Sequence, residues 1–330
     1  MDNQITRILP DHIKRLFLTE TEKHGKPLEL RFRIGKPFII VFDSGEKVYH
    51  SHIISSKDMK DIFTQVCEYS AYAYEEEMKQ GFITIAGGHR AGIAGQVITE
   101  NGKVRNIRHI SCINLRVASE VKGCADGVLD WMVEDGKVLH TLIISPPGVG
   151  KTTLLRDIIR QLSDGISSVS GRSISTTRKF VHGRNISVVD ERSEICACYR
   201  GIPQNDVGIR TDVLDMCPKA EGVMRLVRSM SPEIIAVDEI GTKEDLAAVR
   251  YVLTCGCTVI ATLHGSGIPK YMLDDNMFER YIILEKYLKN VNSTSREKSY
   301  RENNNSVNET KLTVRMITVH DGKGRVLASC

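Results

Sequence analysis

Residues 138–162 of this 330-residue chain read VLHTLIISPPGVGKTTLLRDIIRQL. The run begins as an apolar strand, passes through a glycine-containing loop and continues with helical spacing of its apolar residues. The loop SPPGVGKTT (145–153) matches the phosphate-binding pattern G-x-x-x-x-G-K-[ST], except that Ser145 stands where the first glycine is usual. This order of strand, loop and helix predicts a nucleotide-binding P-loop.

Each residue type in this loop suits the binding of nucleotide phosphates. Two glycines, 148 and 150, allow backbone N–H groups to converge on the phosphate oxygens. The lysine supplies a point charge near the β and γ oxygens, and the threonine hydroxyl after it is placed for Mg²⁺. We expect the nucleotide-binding residues to be Pro146, Pro147, Gly148, Val149, Gly150, Lys151, Thr152 and Thr153.

A P-loop also needs a carboxylate for the metal ion and a base that activates water. The run IIAVDE (234–239) ends an apolar strand with two acidic residues and continues into Ile240-Gly241, which open a loop. Such a loop lies where open α/β sheets bind ligands. We therefore expect Asp238 to hold Mg²⁺ together with Thr152, and Glu239 to be the catalytic base.

A second apolar run, SVVDE (187–191), ends in the same way. Asp190 and Glu191 would then form an acidic box near the γ-phosphate, with Glu191 as the alternative base. For Asp190, an acidic residue at a solvated strand end is a serious alternative. His264 closes the strand TVIATLH and could sense the γ-phosphate, although a lone histidine at a strand end is more often structural.

The run Thr242-Lys243-Glu244-Asp245 looks like the element by which GTPases select guanine. In a GTPase that element follows a separate, later strand, whereas here it directly follows the Asp-Glu strand. We interpret it as the capped start of a helix. ATP is therefore favoured over GTP as the nucleotide.

The remaining pattern predicts two domains. Residues 1–122 contain a helix at 11–24, a hairpin over 28–42 and a β-rich stretch from Phe82 to Ala118, which indicates a smaller α+β domain. A connecting helix is expected over 123–136. In 137–330, apolar strands alternate with helices, the pattern of a parallel α/β sheet.

Two polar stretches interrupt the second domain. They are the Ser/Arg-rich residues 165–185 and the Asn/Ser-rich residues 289–310. Neither contains enough apolar side chains to bury a core, and we expect both to be flexible insertions.

Composition narrows the class of protein without choosing a function. Hydrophobic residues make up 41% and charged residues 26%, and the formal charge is +4, too small to demand a nucleic-acid partner. The start of the chain lacks the apolar region of a secretory signal, and no run is long enough to span a bilayer. The nine cysteines contain no C-x-x-C pair, so we expect reduced cytosolic thiols.

Several longer runs resemble the stage III sporulation AA family of endospore-forming Firmicutes. They are SPPGVGKTTLLRDIIRQLSDG, VVDERSEI, YRGIPQNDVGIRTDVLD, CPKAEGVMRLVRSMSPEIIAVDEIG, ATLHG, FRIGKP and HISCINLRVASE. That family is similar to the ATPases of type II and type IV secretion, which carry a Walker A motif, an acidic box, a Walker B motif and a His box in that order. The resemblance assigns these to 145–153, Asp190-Glu191, Asp238-Glu239 and His264.

The resemblance implies a RecA-like core and a homohexameric ring that hydrolyses ATP with Mg²⁺. It also implies a cytoplasmic location in the mother cell and a role in energising the channel complex between mother cell and forespore. The expected partner is a membrane platform protein of that complex.

Two other functions stay open at this stage. RecA-like cores also serve as nucleic-acid motors, and the arginines of the first domain could follow a phosphate backbone, but few aromatic residues lie among them for base stacking. In a ring, one of these arginines could instead reach a neighbour's γ-phosphate. They are Arg31, Arg33, Arg90, Arg105, Arg108 and Arg116. The third possibility is a nucleotide-dependent switch with negligible turnover.

Overall fold

The computed structural model describes residues 3–79, 81–100, 102–165, 182–290 and 311–329. Contacts divide the chain into two compact units. The N-terminal unit comprises Met1–Glu120 with Cys196–Asp206, and the P-loop unit comprises Val121–Ile195 with Val207–Cys330. In the part of the chain that is described, no helix is both long and apolar enough to cross a membrane.

The N-terminal unit contains one antiparallel sheet and a set of short helices. Its strands are β1 (Glu29–Arg33), β2 (Pro37–Phe42), β3 (Gly45–Ile53), β4 (Phe82–Ile85), β5 (His89–Glu100) and β6 (Lys103–Arg116). Its helices are α1 (Asn3–Ile8), α2 (Asp11–His24), α3 (Ser56–Val66) and α4 (Glu75–Lys79), with a 3-10 turn at Ala71–Tyr74. The strand order is β3-β2-β1-β6-β5-β4. These elements confirm an α+β architecture.

Alternation of apolar and polar residues explains how this sheet forms its core. Every second residue of β1 and β2 is buried, as expected for strands with one face against helices. Phe32 and Phe38 stack across the hairpin with ring centroids 5.0 Å apart. Helix α2 has the predicted bounds, and Ser55 and Asp58 form a capping box at the start of α3.

Residues 196–206 belong to the N-terminal unit although they lie within the P-loop domain of the sequence-based division. Gln204 Oε1 accepts a hydrogen bond of 2.9 Å from the Gly87 backbone. Arg200 forms an ion pair of 2.6 Å with Glu68. A Cβ on Gly88 would lie 3.0 Å from that of Ala197, so the close approach of this segment requires glycine there. Such long-range contacts cannot be read from a local pattern.

The P-loop unit is organised around an eight-stranded sheet. A short helix α5 (Leu129–Met132) and a small hairpin of β7 (Val133–Glu134) and β8 (Lys137–Val138) precede it. The sheet strands are β9 (Thr141–Ser145), β10 (Ile186–Asp190), β11 (Thr211–Asp215), β12 (Ile234–Val237), β13 (Thr258–His264), β14 (Arg280–Asn290), β15 (Lys311–Asp321) and β16 (Val326–Ser329). Their order is β11-β10-β12-β13-β9-β14-β15-β16.

The first six strands of that order run parallel, and β15 and β16 extend the sheet as antiparallel strands. The helices of the unit after α5 are α6 (Lys151–Asp164), α7 (Lys219–Ser229), α8 (Lys243–Thr254) and α9 (Lys270–Asp274). Strands β9, β10, β12 and β13 are buried almost throughout, as parallel strands covered by helices must be. The predicted parallel α/β core is therefore confirmed.

Three features differ from the sequence-based expectation or fall outside it. The connecting helix expected over 123–136 is reduced to the single turn α5, followed by the hairpin β7–β8. Strands β14 to β16 were not anticipated, because the polar run 289–310 hides the pairing of β14 with β15. Apart from their ends, the insertions expected at 165–185 and 289–310 lie outside the described residues.

Candidate nucleotide-binding site

Two glycines of the loop between β9 and α6 have positive φ angles. Gly148 and Gly150 have φ angles of 74° and 106°, in the region that only glycine adopts without strain. Apart from the two chain neighbours of Gly148, no atom of the described residues lies within 4 Å of the position that a Cβ on Gly148 would take, so the loop is open on that side. Ser145, which replaces the usual glycine, is fully buried and donates its hydroxyl to the Pro146 carbonyl at 2.9 Å. The substitution is thus accommodated within β9.

Helix α6 begins directly at the end of this loop. Its N-cap is Gly150, which has no side chain to accept hydrogen bonds from the first turn. The N-terminal N–H groups therefore point into the loop without a side-chain cap, and the helix dipole adds partial positive charge there. This arrangement fits the phosphates of a nucleotide.

The metal-binding pair of the prediction meets at the carboxyl edge of the sheet. Thr152 Oγ1 donates a hydrogen bond of 2.9 Å to Oδ2 of Asp238, which follows β12. A hydroxyl and a carboxylate are the hard oxygen ligands that Mg²⁺ prefers, and Mg²⁺ commonly completes its shell with waters and substrate phosphates. These two residues fit a magnesium ion bound together with a nucleotide.

Lys151 contacts both predicted carboxylates. Its ammonium lies 3.0 Å from Oε1 of Glu239 and 3.9 Å from Oδ1 of Asp238, and only 7% of its side chain is exposed. Burial alone would raise the pKa of Glu239. The hydrogen bond and charge of Lys151, and then His264, outweigh burial and leave that pKa below its ordinary value. Glu239 is therefore held as a carboxylate.

Strand β13 lies between β9 and β12 and positions the acidic pair. The fully buried Thr262 donates its hydroxyl to Oδ1 of Asp238 and accepts the backbone N–H of Glu239 at 2.8 Å. Glu239 has a φ of 53°, an uncommon conformation for a residue with a side chain. Thr262 thus holds the Asp238 carboxylate and the backbone of Glu239. Sequence reasoning missed it, although it is the one polar residue within the apolar run VIATL.

His264 ends β13 beside the same carboxylate. Its Nε2 lies 2.6 Å from Oε1 of Glu239, and 44% of its side chain is exposed. In the register of the sheet His264 is opposite Ser145 at the start of the P-loop. The structure therefore brings together five of the predicted residues, and a role for His264 in catalysis stays a prediction.

The second acidic pair has different partners. Asp190 is buried and accepts backbone hydrogen bonds from Glu194 and Ile195 at 2.8 and 3.0 Å. Glu191 is ion-paired with Lys219, the first residue of α7. Asp190 therefore organises the loop after β10, while Glu191 is neutralised by a lysine that sequence reasoning did not identify.

The run Thr242-Lys243-Glu244-Asp245 is a helix cap, as predicted. The Thr242 side chain accepts the Asp245 N–H at 3.0 Å, and Asp245 accepts the N–H groups of Gly241 and Thr242, each at 3.0 Å. The Asp245 carboxylate is engaged in starting α8. This use is consistent with ATP rather than a guanine nucleotide.

Most of the arginines of the N-terminal unit interact with side chains of that unit. Arg31 pairs with Glu29 at 2.8 Å, and Arg90 lies over the ring of Phe82 at 3.5 Å. Arg105 and Arg116 have looser ion pairs of 3.4 and 3.8 Å, and about two thirds of each side chain is exposed. Of these four arginines, Arg105 and Arg116 are the more accessible candidates for contacts with another molecule.

Comparison with known proteins identifies the family. The model of the family described as sporulation stage III, protein AA, matches residues 1–297. The chain belongs to this family. The stage III sporulation protein AA of Bacillus subtilis (strain 168) is 41% identical over 293 residues, which are 86% of this chain and 91% of that protein. The resemblance inferred from the quoted runs is confirmed.

Solved structures with a similar fold include an ATPase and a pilus retraction motor. The Legionella pneumophila ATPase DotB superposes with a TM-score of 0.57 at 18% identity, covering 96% of this chain and 82% of DotB. The pilus retraction motor PilT, solved with bound ADP, gives a TM-score of 0.56 at 14% identity, covering 91% and 80%. The predicted P-loop ATPase fold is therefore confirmed for this chain.

Proposed function

We propose that this protein is an ATP-binding and ATP-hydrolysing motor that energises assembly of, or transport through, the channel complex between mother cell and forespore during sporulation. One observation carries the catalytic part. The P-loop residues Lys151 and Thr152 contact Glu239 and Asp238, two neighbouring carboxylates at the carboxyl edge of the sheet. Family membership supports the sporulation part.

Each residue of the site has its own proposed role in phosphoryl transfer. The N–H groups at the start of α6 and the Lys151 ammonium bind phosphate oxygens. Thr152, with Asp238, would hold Mg²⁺, which neutralises charge that develops on the phosphates. Once Lys151 has transferred to the phosphates, Glu239 can accept a proton from the attacking water, and His264 orients the Glu239 carboxylate.

The oligomeric and cellular parts of the proposal rest on the family and on the shared fold. We propose a homohexameric ring in the mother-cell cytoplasm that acts through a membrane platform protein of the same complex. In a ring, a neighbouring subunit can supply an arginine that stabilises charge on the transferred phosphoryl group. Nucleic acid is not expected to stimulate the reaction.

Phosphate release by the purified full chain with ATP and Mg²⁺ tests the motor. We expect turnover that requires Mg²⁺ and disappears in Lys151→Ala. Binding of ATP without measurable release would contradict a motor and favour a switch. Stimulation by single-stranded DNA that falls with salt would instead favour a nucleic-acid motor.

A second experiment tests the sporulation role in an endospore-forming host that lacks its own copy of the protein. The wild-type chain should restore spore formation and Lys151→Ala should not, and full restoration by Lys151→Ala would contradict the sporulation role of the ATPase.

A further inference from the structure

A basic residue outside the predicted set also contacts Glu239. Nη1 of Arg192 lies 3.4 Å from Oε2 of this carboxylate, while Lys151 and His264 both contact Oε1. One carboxylate is thus surrounded by three basic side chains, on both of its oxygens. A phosphate group is an anion of similar oxygen chemistry and carries more charge, so the same basic side chains can bind it.

The loop that carries Arg192 is fastened to the P-loop helix. Arg156 of α6 donates to the carbonyl oxygens of Glu194 and Ile195 at 2.8 and 2.5 Å. Asp190 accepts the N–H groups of the same two residues. The backbone next to Arg192 is therefore held in place relative to the phosphate-binding loop.

The Arg192 side chain is available to a ligand. Of this side chain 65% is exposed, whereas Lys151 is nearly buried. Its hydrogen bond to Glu239 is longer than the 2.7–2.9 Å of a strong charge-assisted bond, so it can be given up. A guanidinium has five N–H donors in a planar fork, which suits a phosphate better than a single long contact does. Among the described residues, Glu239 is the only hydrogen-bond partner of the Arg192 side chain.

We propose that Arg192 binds the terminal phosphate of ATP within its own subunit, and that Glu239 holds the guanidinium until nucleotide arrives. The proposal rests on the ATPase function given above and adds to it a residue that recognises the terminal phosphate. On ATP binding, Lys151 and Arg192 move to the phosphates, which leaves Glu239 free to accept a proton from water. ADP lacks the terminal phosphate, so Arg192 stays on Glu239. Arg192 thereby distinguishes ATP from ADP.

Calorimetric titration of Mg²⁺-ADP and of a non-hydrolysable Mg²⁺-ATP analogue tests this assignment. In Arg192→Gln we expect analogue affinity to fall by roughly tenfold or more, with ADP affinity unchanged, because one charge-assisted contact is lost in only one complex. Arg192→Lys keeps the charge but loses the fork, and should give an intermediate analogue affinity. The matched control is Arg225→Gln, which removes an exposed guanidinium of α7 paired with Glu221 and should change neither affinity.

The outcomes separate this inference from the proposed function. If the wild-type protein binds neither nucleotide, the ATPase proposal itself is wrong. If the wild type binds both and Arg192→Gln keeps the wild-type ratio of analogue to ADP affinity, only the Arg192 assignment is overturned. An equal loss of affinity for both nucleotides in Arg192→Gln would also overturn the assignment, because a general effect on the loop does not depend on the terminal phosphate.

Discussion

The ammonium of Lys151 lies 3.0 Å from Oε1 of Glu239, so the P-loop lysine and the proposed base form an ion pair and neutralise each other. While this ion pair exists, Lys151 cannot bind a phosphate and Glu239 cannot accept a proton from water. Binding of phosphate must draw Lys151 away before Glu239 can act as a base. The pair thus links nucleotide binding to activation of the base.

Lys151→Ala should abolish nucleotide binding. Removing the ammonium leaves phosphate charge uncompensated and also leaves Glu239 without its main partner. Calorimetric titration with Mg²⁺-ATP measures the effect, with circular dichroism as a test of folding. Lys243→Ala, an exposed lysine at the start of α8, is the matched control and should bind as the wild type does. Unchanged ATP affinity in Lys151→Ala would contradict the P-loop assignment.

Glu239→Gln should retain ATP binding and slow hydrolysis by roughly 10²-fold or more, since the amide keeps the shape and loses the base. Glu191→Gln should have a smaller effect, because Glu191 is paired with Lys219. Single-turnover phosphate release compares the two variants. The reverse ranking would show that the base lies at the end of β10.

Thr262→Val should reduce turnover while leaving the fold intact. The change keeps the side-chain shape and removes the hydroxyl that contacts Asp238 and the Glu239 N–H. Leaving these groups without a partner costs about 1–3 kcal/mol. Thr258→Val on the same strand removes a hydroxyl bound to the Val138 carbonyl and serves as the control. Equal turnover losses in both variants would indicate a general effect on β13.

The lowered pKa of Glu239 predicts an acid-sensitive contribution to stability. A carboxyl whose pKa is lower in the folded state stabilises the fold above its unfolded pKa, about 4.3 for glutamate. This contribution is lost as pH falls through the folded pKa. Between about pH 5 and pH 3, the free energy of unfolding should therefore fall less in Glu239→Gln than in the wild type. Urea denaturation at several pH values measures it, with Glu221→Gln as an exposed control. Parallel curves for wild type and Glu239→Gln would contradict the prediction.

Hydrolysis per subunit should rise with protein concentration and then saturate if an arginine of one subunit completes the site of the next. Sedimentation with and without an ATP analogue should show assembly over the same range. In mixtures, Lys151→Ala subunits and subunits altered at Arg105 or Arg116 should recover part of the activity, because some sites combine an intact lysine with an intact arginine. If hydrolysis per subunit does not change with protein concentration and the protein sediments as a monomer in the presence of the analogue, the proposed ring is wrong.

Local patterns were sufficient for much of the fold. The start of α8 after Thr242 and the strand that ends at Asp190 agree with the sequence, because a capping box and an unbroken apolar run are signals carried by neighbouring residues. The connecting helix predicted over 123–136 was wrong, because this segment forms a single helical turn and the first part of a hairpin. Pairing of β14 with β15 depends on residues that are far apart in the chain.

The sequence alone was sufficient to predict the P-loop, the order of the motifs along the chain, the neighbouring carboxylates Asp238 and Glu239, and the family, since each depends on residue types at fixed spacing. Tertiary structure alone decided which charges meet. Glu239 lies against Lys151, Arg192 and His264, while Glu191 lies against Lys219. Two strands that end in Asp-Glu look alike in sequence, but neighbouring strands and helices provide each carboxylate with its partners. Hydrogen bonds and ion pairs act over a few ångströms in space, and spacing along the chain does not determine them.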